Sequence, residues 1–519
     1  MSIKTHESEA ERLRLLMKQA VEGGGGKAQD KIRSQGRLTA RERIDNLMDP
    51  GSFVEFNMLA VHQCHNFGME KKKFTGDGVV TGYGRIEGRL VFVYSQDATV
   101  LGGSVGPIHG EKICYTIDQA IKARAPVIGI YDSGGGRIHE GFTASRAVAG
   151  MFHRNTRASG VIPQIAAIMG TCAGVAVYSP AIMDFIFMVD KTSHMFITGP
   201  GVIKTVTGED IDFENLGGAP VHSTISGNSH FVAPNDKECL SGIRRLLSFL
   251  PPNNQEKPAR VETGDDPDRT DDSLVEKVPA DFRFPYDMRE VIKSVVDNGD
   301  FMEVQPDFAQ NIVIGLARLD GYTVGVLGNQ PMVMAGCLDI NASDKSARFI
   351  RFCDAFNIPL INMVDVPGFL PGKEQEYGGI IRHGGKMLYA YAEATVPKIT
   401  LVLRKNYGGA VMAMCCKGSE VDQMLAWPIA QLVVLDTTAA VDIIFRKEIQ
   451  QAEKPEEFRQ KMIEQYDHAF SNPFDPAGKM LVDAVIEPRY TRPALIKSLR
   501  MLLNKVEERP WRKHGNIPL

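Results

Sequence analysis

PVIGIYDSGGGR at residues 126–137 and IPLINMVDVPGF at residues 358–369 share one pattern: an apolar run, an aspartate, then a glycine turn. A short continuous apolar run closed by a turn signal predicts a buried strand. The pattern extends outward in the same order. IPQIAAIMGTCAGVAVYS (162–179) matches VPKITLVLRKNYGGAVMA (396–413), each a proline-led strand running into a small-residue turn and a helix. The intervals from Asp132 to Gly174 and from Asp365 to Gly408 differ by a single residue. An apolar strand then follows in both halves, read as DFIFMVD (184–190) and QLVVLD (431–436). Matching order and spacing over several elements predicts two copies of one α/β fold in tandem.

The surrounding chain fits two domains. At 519 residues it is too long for one ordinary core. Residues 5–50 read as two charged helices separated by the glycine run at 23–26. The stretch PPNNQEKPARVETGDDPDRTDDS (251–273) is rich in Pro, Asp and Asn and is the best linker candidate. The expected domains are 1–258 and 259–519, with a helical, charged tail from about 447. A net charge of −4, with 43% hydrophobic and 24% charged residues, gives no bulk attraction to nucleic acid or anionic membranes. Eight cysteines without a C-x-x-C pair predict reduced, mostly buried thiols and no metal site. The polar start MSIKTHESEAERLRLL and the lack of an apolar run near ~18 residues predict a cytoplasmic protein with no direct membrane insertion.

The glycine turns admit three chemistries. A phosphate cradle is not supported, because neither G-x-x-x-x-G-K-[ST] nor G-x-G-x-x-G stands at 133–137. An exposed nucleophile is not supported, because Ser133 lies outside any G-x-S-x-G. Backbone donation remains: glycine turns before helix N-termini leave N–H groups without intrahelical partners. Two turns in each half, 134–136 with 174–175 and 367–368 with 408–410, are placed to converge on an oxyanion. Taken singly, each turn also reads as a simple tight bend.

The chain resembles the carboxyltransferase (beta) subunits of biotin-dependent acyl-CoA carboxylases, of the propionyl-CoA carboxylase, transcarboxylase and methylmalonyl-CoA decarboxylase alpha type. The residues that carry the resemblance run nearly end to end. They include GRLTARERIDNLMDPGSFVE (36–55), GDGVVTGYG (76–84), SHMFITGPGVIKTVTGED (193–210), AGCLDINASDKSARFIRFCDAFNIPL (335–360) and the terminal KHGNIPL (513–519). The resemblance implies two tandem crotonase-like (ClpP/crotonase spiral) α/β domains, the first on the acyl-CoA side and the second on the biotin side. It implies a homohexamer in which one subunit's first domain faces its neighbour's second. Gly135, Gly136, Gly174 and Val175 would receive the thioester carbonyl; Gly408, Gly409 and Ala410, near Gly368 and Phe369, would hold the ureido oxygen of biotin.

What the resemblance implies further is a reaction without a side-chain base, moving a carboxyl group between carboxybiotin and a short-chain acyl-CoA, propionyl-CoA with methylmalonyl-CoA favoured. The alternatives are a decarboxylase alpha subunit and a non-catalytic CoA-binding scaffold. The sequence has no A-M-K-M biotin attachment motif and no ATP loop. Biotin is therefore expected on a separate carrier protein, with a biotin carboxylase or a decarboxylase membrane subunit as further partner. Coenzyme A thioester is expected as substrate, with no metal. Met412 and His139 are candidate pocket residues, and the basic residues of 27–43 are candidates for CoA phosphates or for a solvated face. Gly136, His139, Val175 and DTTAAVD (436–442) depart from the family pattern around the site.

Overall fold

The computed structural model of the chain describes residues 5–519; the first four residues of the charged start, MSIK, lie outside them. The chain divides into two compact units between Glu256 and Lys257. In the first, the strands are β1 (Val54–Phe56), β2 (Val79–Ile86), β3 (Arg89–Gln96), β4 (Val127–Ser133), β5 (Gln164–Ala173), β6 (Phe185–Val189), β7 (His194–Phe196) and β8 (Phe231–Ala233). They form one sheet in the order β1-β2-β3-β4-β5-β6-β8, with β7 paired to the far end of β5. The first three strands are antiparallel and the rest parallel.

The second unit repeats this strand for strand. Its strands are β9 (Phe301–Val304), β10 (Ile312–Leu319), β11 (Tyr322–Asn329), β12 (Leu360–Val366), β13 (Lys398–Tyr407), β14 (Gln423–Ala426), β15 (Gln431–Val433) and β16 (Ala484–Val485). The order is β9-β10-β11-β12-β13-β14-β16, with β15 paired to the end of β13. Every residue of β4 and of β12 is buried, as expected for parallel strands covered on both faces. In the first unit the helices Pro107–Ala123 and Ala144–Ala158 pack on each other and set Ile113, Ile117 and Met151 against the sheet. Ile340–Ala355 and Ile380–Glu393 pack together in the same way in the second.

The structure amends four readings. The counterpart of DFIFMVD is β14, not QLVVLD: Ile165 pairs with Phe185 where Ile399 pairs with Gln423, whereas Gln431–Val433 matches β7. Asp184 and Asp422 confirm the alignment, since each carboxylate accepts the amide that opens the neighbouring strand, Gln164 or Lys398, at 2.8 Å. The boundary between the units falls inside 251–273 as expected of a linker, but past it the chain is anchored on the second unit, where the Val261 amide donates to Gly321 O and Arg260 pairs with Asp320. The N-terminal segment holds three helices, His6–Glu22, Gly26–Ser34 and Ala40–Leu47. The tail is core as well as surface: Leu495, Ile496 and Leu499 of Thr491–Leu502 are buried, and Trp427 Nε1 donates to Thr491 Oγ1 at 2.9 Å. All eight cysteines are free and six are buried.

Each unit also buries one lysine at an equivalent helix position. Lys112 Nζ donates to Gly76 O and Val79 O. Lys345 Nζ is ringed by the carbonyls of Gln305, Phe308, Ala309 and Ile312 at 2.7–3.4 Å. These amines tie the helix that follows β3 or β11 to the start of β2 or β10. Burial pulls Lys112 down to about 8 and Lys345 down to about 7.

The folded pKa of Lys345 thus lies below its ordinary value of 10.5, so the unfolded chain binds more protons between about pH 7 and 10.5. Stability contributed at this position rises with pH across that window. Lys345→Met removes that rise, so the gap in melting temperature between wild type and variant widens from pH 7.5 to pH 10. A gap that stays flat would mean the four carbonyls keep the amine charged.

Candidate active site

The turn after β4 is held by backbone bonds on both sides. The Gly134 amide donates to Gly102 O at 2.9 Å, Gly135 O accepts from Val105 at 2.8 Å, and the Arg137 amide donates to Val105 O at 2.9 Å. Gly135 has φ +98°, and its own amide is used on Ser133 Oγ at 3.2 Å. The turn after β5 begins at Gly174, φ +60°, and runs into a short 3₁₀ turn, Gly174–Val177. The two turns meet: a Cβ at Gly135 would stand 2.8 Å from Ala173 O, and one at Gly136 would stand 3.6 Å from Val175 Cγ2. Gly136 and Val175 are both exposed. Among the described residues neither of their amides has an acceptor.

The second unit builds the same arrangement with other residues. Leu338 donates to Gly368 O at 3.0 Å and Leu370 to Leu338 O at 2.8 Å, so Gly368 and Phe369 stand where Gly135 and Gly136 stand. Gly408, φ +60°, spends its amide on Val433 O at 3.0 Å, and Ala410 opens the helix Ala410–Ala413. A Cβ at Gly409 would lie 3.7 Å from the Phe369 ring. The Phe369 and Gly409 amides, like those of Gly136 and Val175, have no acceptor among the described residues. In each unit, therefore, two residues whose amides lack an acceptor stand side by side, Gly136 with Val175 and Phe369 with Gly409. Gly135 and Gly408 contribute conformation, since their amides are already engaged.

Buried charge fixes these turns. Arg137, fully buried, donates to Asp77 Oδ1 at 2.6 Å, to Glu140 Oε2 at 3.1 Å and to Ser104 O at 2.7 Å. Burial pushes the Asp77 carboxyl up, and the Arg137 guanidinium opposes it. Asp132 is held by Arg37 and by Arg43, the latter at 3.1 Å, and Asp365 by Arg404 at 2.8 Å. The arginines of 27–43 are ion-paired, Arg33 with Glu42, Arg41 with Glu55 and Arg43 also with Asp236, while Lys27 and Lys31 are exposed. The sequence carried one signal for the aspartates, their matched places at the ends of β4 and β12.

Cavities lie beside the second turn of each unit. That of the second unit, about 400 Å³, is lined by Gly408, Gly409, Met412, Leu432 and Val433, with Met412 47% exposed. That of the first, about 480 Å³, is bounded by Val177, Tyr178, Phe196, Ile197 and Leu216. His139 is exposed, and its carbonyl accepts from the Cys64 thiol at 3.3 Å. His383 sits 2.8 Å from the Asp344 carboxylate, which also pairs with Lys386. Among the described residues no cluster of His, Cys, Asp and Glu is placed to hold a metal, and no helix is long and apolar enough to cross a membrane.

Comparison with known proteins covers the whole chain. The carboxyl transferase domain family matches residues 31–517. The chain is 55% identical over 497 residues to methylmalonyl-CoA decarboxylase subunit alpha of Veillonella parvula, covering 96% of each. It is 54% identical over 518 residues to the propionyl-CoA carboxylase carboxyltransferase subunit of Haloferax mediterranei, covering 99% of this chain and 100% of that one. A crystal structure of transcarboxylase 12S, a hexamer with methylmalonyl-coenzyme A and methylmalonic acid bound, superposes with a TM-score of 0.98 at 50% identity. It covers 100% of this chain and 99% of that one.

The convergence of the turns is testable without any substrate. Gly135→Ala places a methyl group against Ala173 O in a left-handed backbone, and it is expected to cost about 1–3 kcal/mol. A crystal structure of the variant should show residues 134–136 displaced from Val175. Gly134→Ala, which has only Gly102 O within reach at 3.6 Å, is the tolerated control. Equal melting temperatures for the two variants would contradict the geometry.

Proposed function

The chain belongs to the carboxyl transferase domain family, and from that premise we propose that its paired amides form two oxyanion sites of an acyl-CoA carboxyltransferase. The fold is two tandem crotonase-like α/β domains, and the enzyme is a biotin-dependent carboxyltransferase handling propionyl-CoA and methylmalonyl-CoA. The observation that carries the site assignment is the repetition of two adjacent unused amides in both units. The first domain takes the acyl-CoA and the second the biotin.

Biotin, brought on a separate carrier chain, supplies the transferable carboxyl group and a basic ureido nitrogen. The residues present fit it: Gly409, whose amide is unused, is part of the wall of a largely apolar cavity of about 400 Å³. The Phe369 and Gly409 amides receive the ureido oxygen, with Gly368, Gly408 and Ala410 shaping that turn. The Gly136 and Val175 amides donate to the thioester oxygen as charge builds on it, which lowers the cost of losing the adjacent α-proton. Gly135 and Gly174 set the left-handed bends that aim them. Holding both reactants together supplies the proximity advantage, and each donor is worth roughly 10²–10³ in rate. Met412 and His139 bound the acyl group.

The hexamer of transcarboxylase 12S supports a ring of copies in which the acyl-CoA site of one subunit faces the biotin site of its neighbour. The identity with decarboxylase alpha subunits supports a second reading, in which the same site runs from methylmalonyl-CoA toward biotin for a membrane partner. Direction is set by the chain that loads or drains the carrier.

The assay is reverse transfer. Methylmalonyl-, malonyl-, ethylmalonyl- and glutaconyl-CoA are each offered with biotin or a biotinylated carrier, and biotin-dependent carboxyl loss is expected fastest from methylmalonyl-CoA. Loss from none of them, with CoA binding intact and an active control enzyme alongside, would overturn the reading. Gly409 has φ −63°, which proline adopts, so Gly409→Pro removes the N–H and puts a ring carbon in its place without forcing φ. Transfer is expected to fall about 10²–10³-fold while acyl-CoA still binds. A folded variant of unchanged activity would remove the biotin site from this turn.

A further inference from the structure

In each unit the strands that end in the two turns change register just before them and pair again at Ser133 with Cys172 or at Val366 with Asn406. The ladder between β4 and β5 shifts register between Tyr131 and Ser133, and the ladder between β12 and β13 shifts between Val364 and Val366. An aspartate sits in each irregularity, Asp132 or Asp365. Both aspartate amides donate to a side-chain oxygen from the preceding strand, Gln96 Oε1 or Asn329 Oδ1, at 3.2 Å. What their carboxylates do differs, and the difference is informative.

In the second unit the carboxylate spans the gap itself. Asp365 Oδ1 accepts the Lys405 amide of β13 at 3.1 Å, and Oδ2 accepts Arg404 Nε at 2.8 Å. Arg404 is buried, donates to Pro279 O at 3.1 Å and Phe284 O at 3.0 Å, and lies over the rings of Tyr286 and Phe282. The strand registers align Arg404 with Gly170 of β5: Ile165 and Ala173 pair with Phe185 and Phe196 where Ile399 and Tyr407 pair with Gln423 and Val433. Unit one thus has no side chain where unit two has its arginine. A Cβ at Gly170 would overlap Asp132 and Arg37.

The vacated volume is filled from the N-terminal segment. Arg37 and Arg43 both reach Asp132, and both donate onward to Met169 O of β5, Arg43 at 2.6 Å and Arg37 at 3.1 and 3.2 Å. Asp236 steadies them by accepting from Arg43 Nε at 3.0 Å and from the Leu38 amide at 2.9 Å. Asp132 therefore reaches β5 through guanidinium groups, where Asp365 reaches β13 directly. Both assemblies are charge-balanced, two arginines with two aspartates in one and one with one in the other. Unpaired buried charge is costly, so neither cluster can lose a member cheaply.

We infer that Asp132 and Asp365 are positioning residues that set the separation of the two amides in each turn pair, and that Arg37 and Arg43 are the first unit's substitute for Arg404. The inference rests on the reading of those amides as oxyanion sites. The amides act only if both point at one oxygen, and the carboxylate lies one residue before Ser133 or Val366, between the strands that carry them. A displacement of about 1 Å is worth up to about 10²-fold in rate.

The test uses the full chain with its biotinylated carrier substrate and two conservative changes in the second unit, Asp365→Glu and Arg404→Lys. Each keeps the charge and changes the reach. Expected are losses of tenfold or more in kcat, with KM for acyl-CoA within threefold of wild type and assembly unchanged. Gly170→Ala should do the same from the first unit. Folded Asp365→Glu and Arg404→Lys with wild-type kcat, or a loss confined to KM, would overturn the inference. Crystal structures of Asp365→Glu and Gly170→Ala read the geometry independently of activity. The separation of the Phe369 and Gly409 amides, or of Gly136 and Val175, should change, and unchanged separations in both would overturn it. A wild-type chain inactive in the same assay counts against the proposed function, and the two structures then decide the inference alone.

Discussion

Where the two parallel strands that lead into the site break register, in both units, buried charge bridges the irregularity. The register shifts at Asp132 and Asp365 interrupt the ladder just before the turns begin. A carboxylate, a guanidinium and a backbone acceptor or donor bridge the interruption. The glycine turns depend on this bridge. Their backbone bonds run to the flanking loops, through Gly102, Val105 and Leu338, while the two strands carrying them are joined at the bulge by ionic groups.

Such pairs are weak evidence for stability, since desolvation offsets much of their attraction. Their value is geometric. A planar guanidinium offers several donors in a fixed fork, so Arg43 can meet Asp132, Asp236 and Met169 O at once. The buried lysines serve a different end. With carbonyls as their acceptors, Lys112 and Lys345 fix helices to strand starts and stand apart from the turns.

The repeat was legible because it is written in local pattern. The pairs 126–137 with 358–369 and 162–179 with 396–413 carry apolar runs and glycines at nearly constant spacing, and those features decide strand and turn through short-range sterics. The match failed at the next strand. QMLA (423–426) is short and opens on a polar residue, so QLVVLD looked the better counterpart of DFIFMVD, and only pairing register separates them. The ion pairs of Arg37 and Arg43 were hidden for a related reason. Charge is visible in a sequence, but whether a carboxylate from position 132 or 236 lies against it is not.

By itself the sequence determined two tandem copies of one α/β unit, the places of four glycine turns, and a family resemblance dense enough to name a chemistry. Tertiary structure alone decided that the Gly135 and Gly408 amides are engaged while those of Gly136, Val175, Phe369 and Gly409 have no acceptor among the described residues. It also decided that Arg404 of one unit is answered in the other by arginines from far along the chain. The physical reason is that turn propensity acts over a few neighbouring residues. The fate of a hydrogen bond or a buried charge depends instead on what the fold brings within about 3 Å, and that partner can lie anywhere in the sequence.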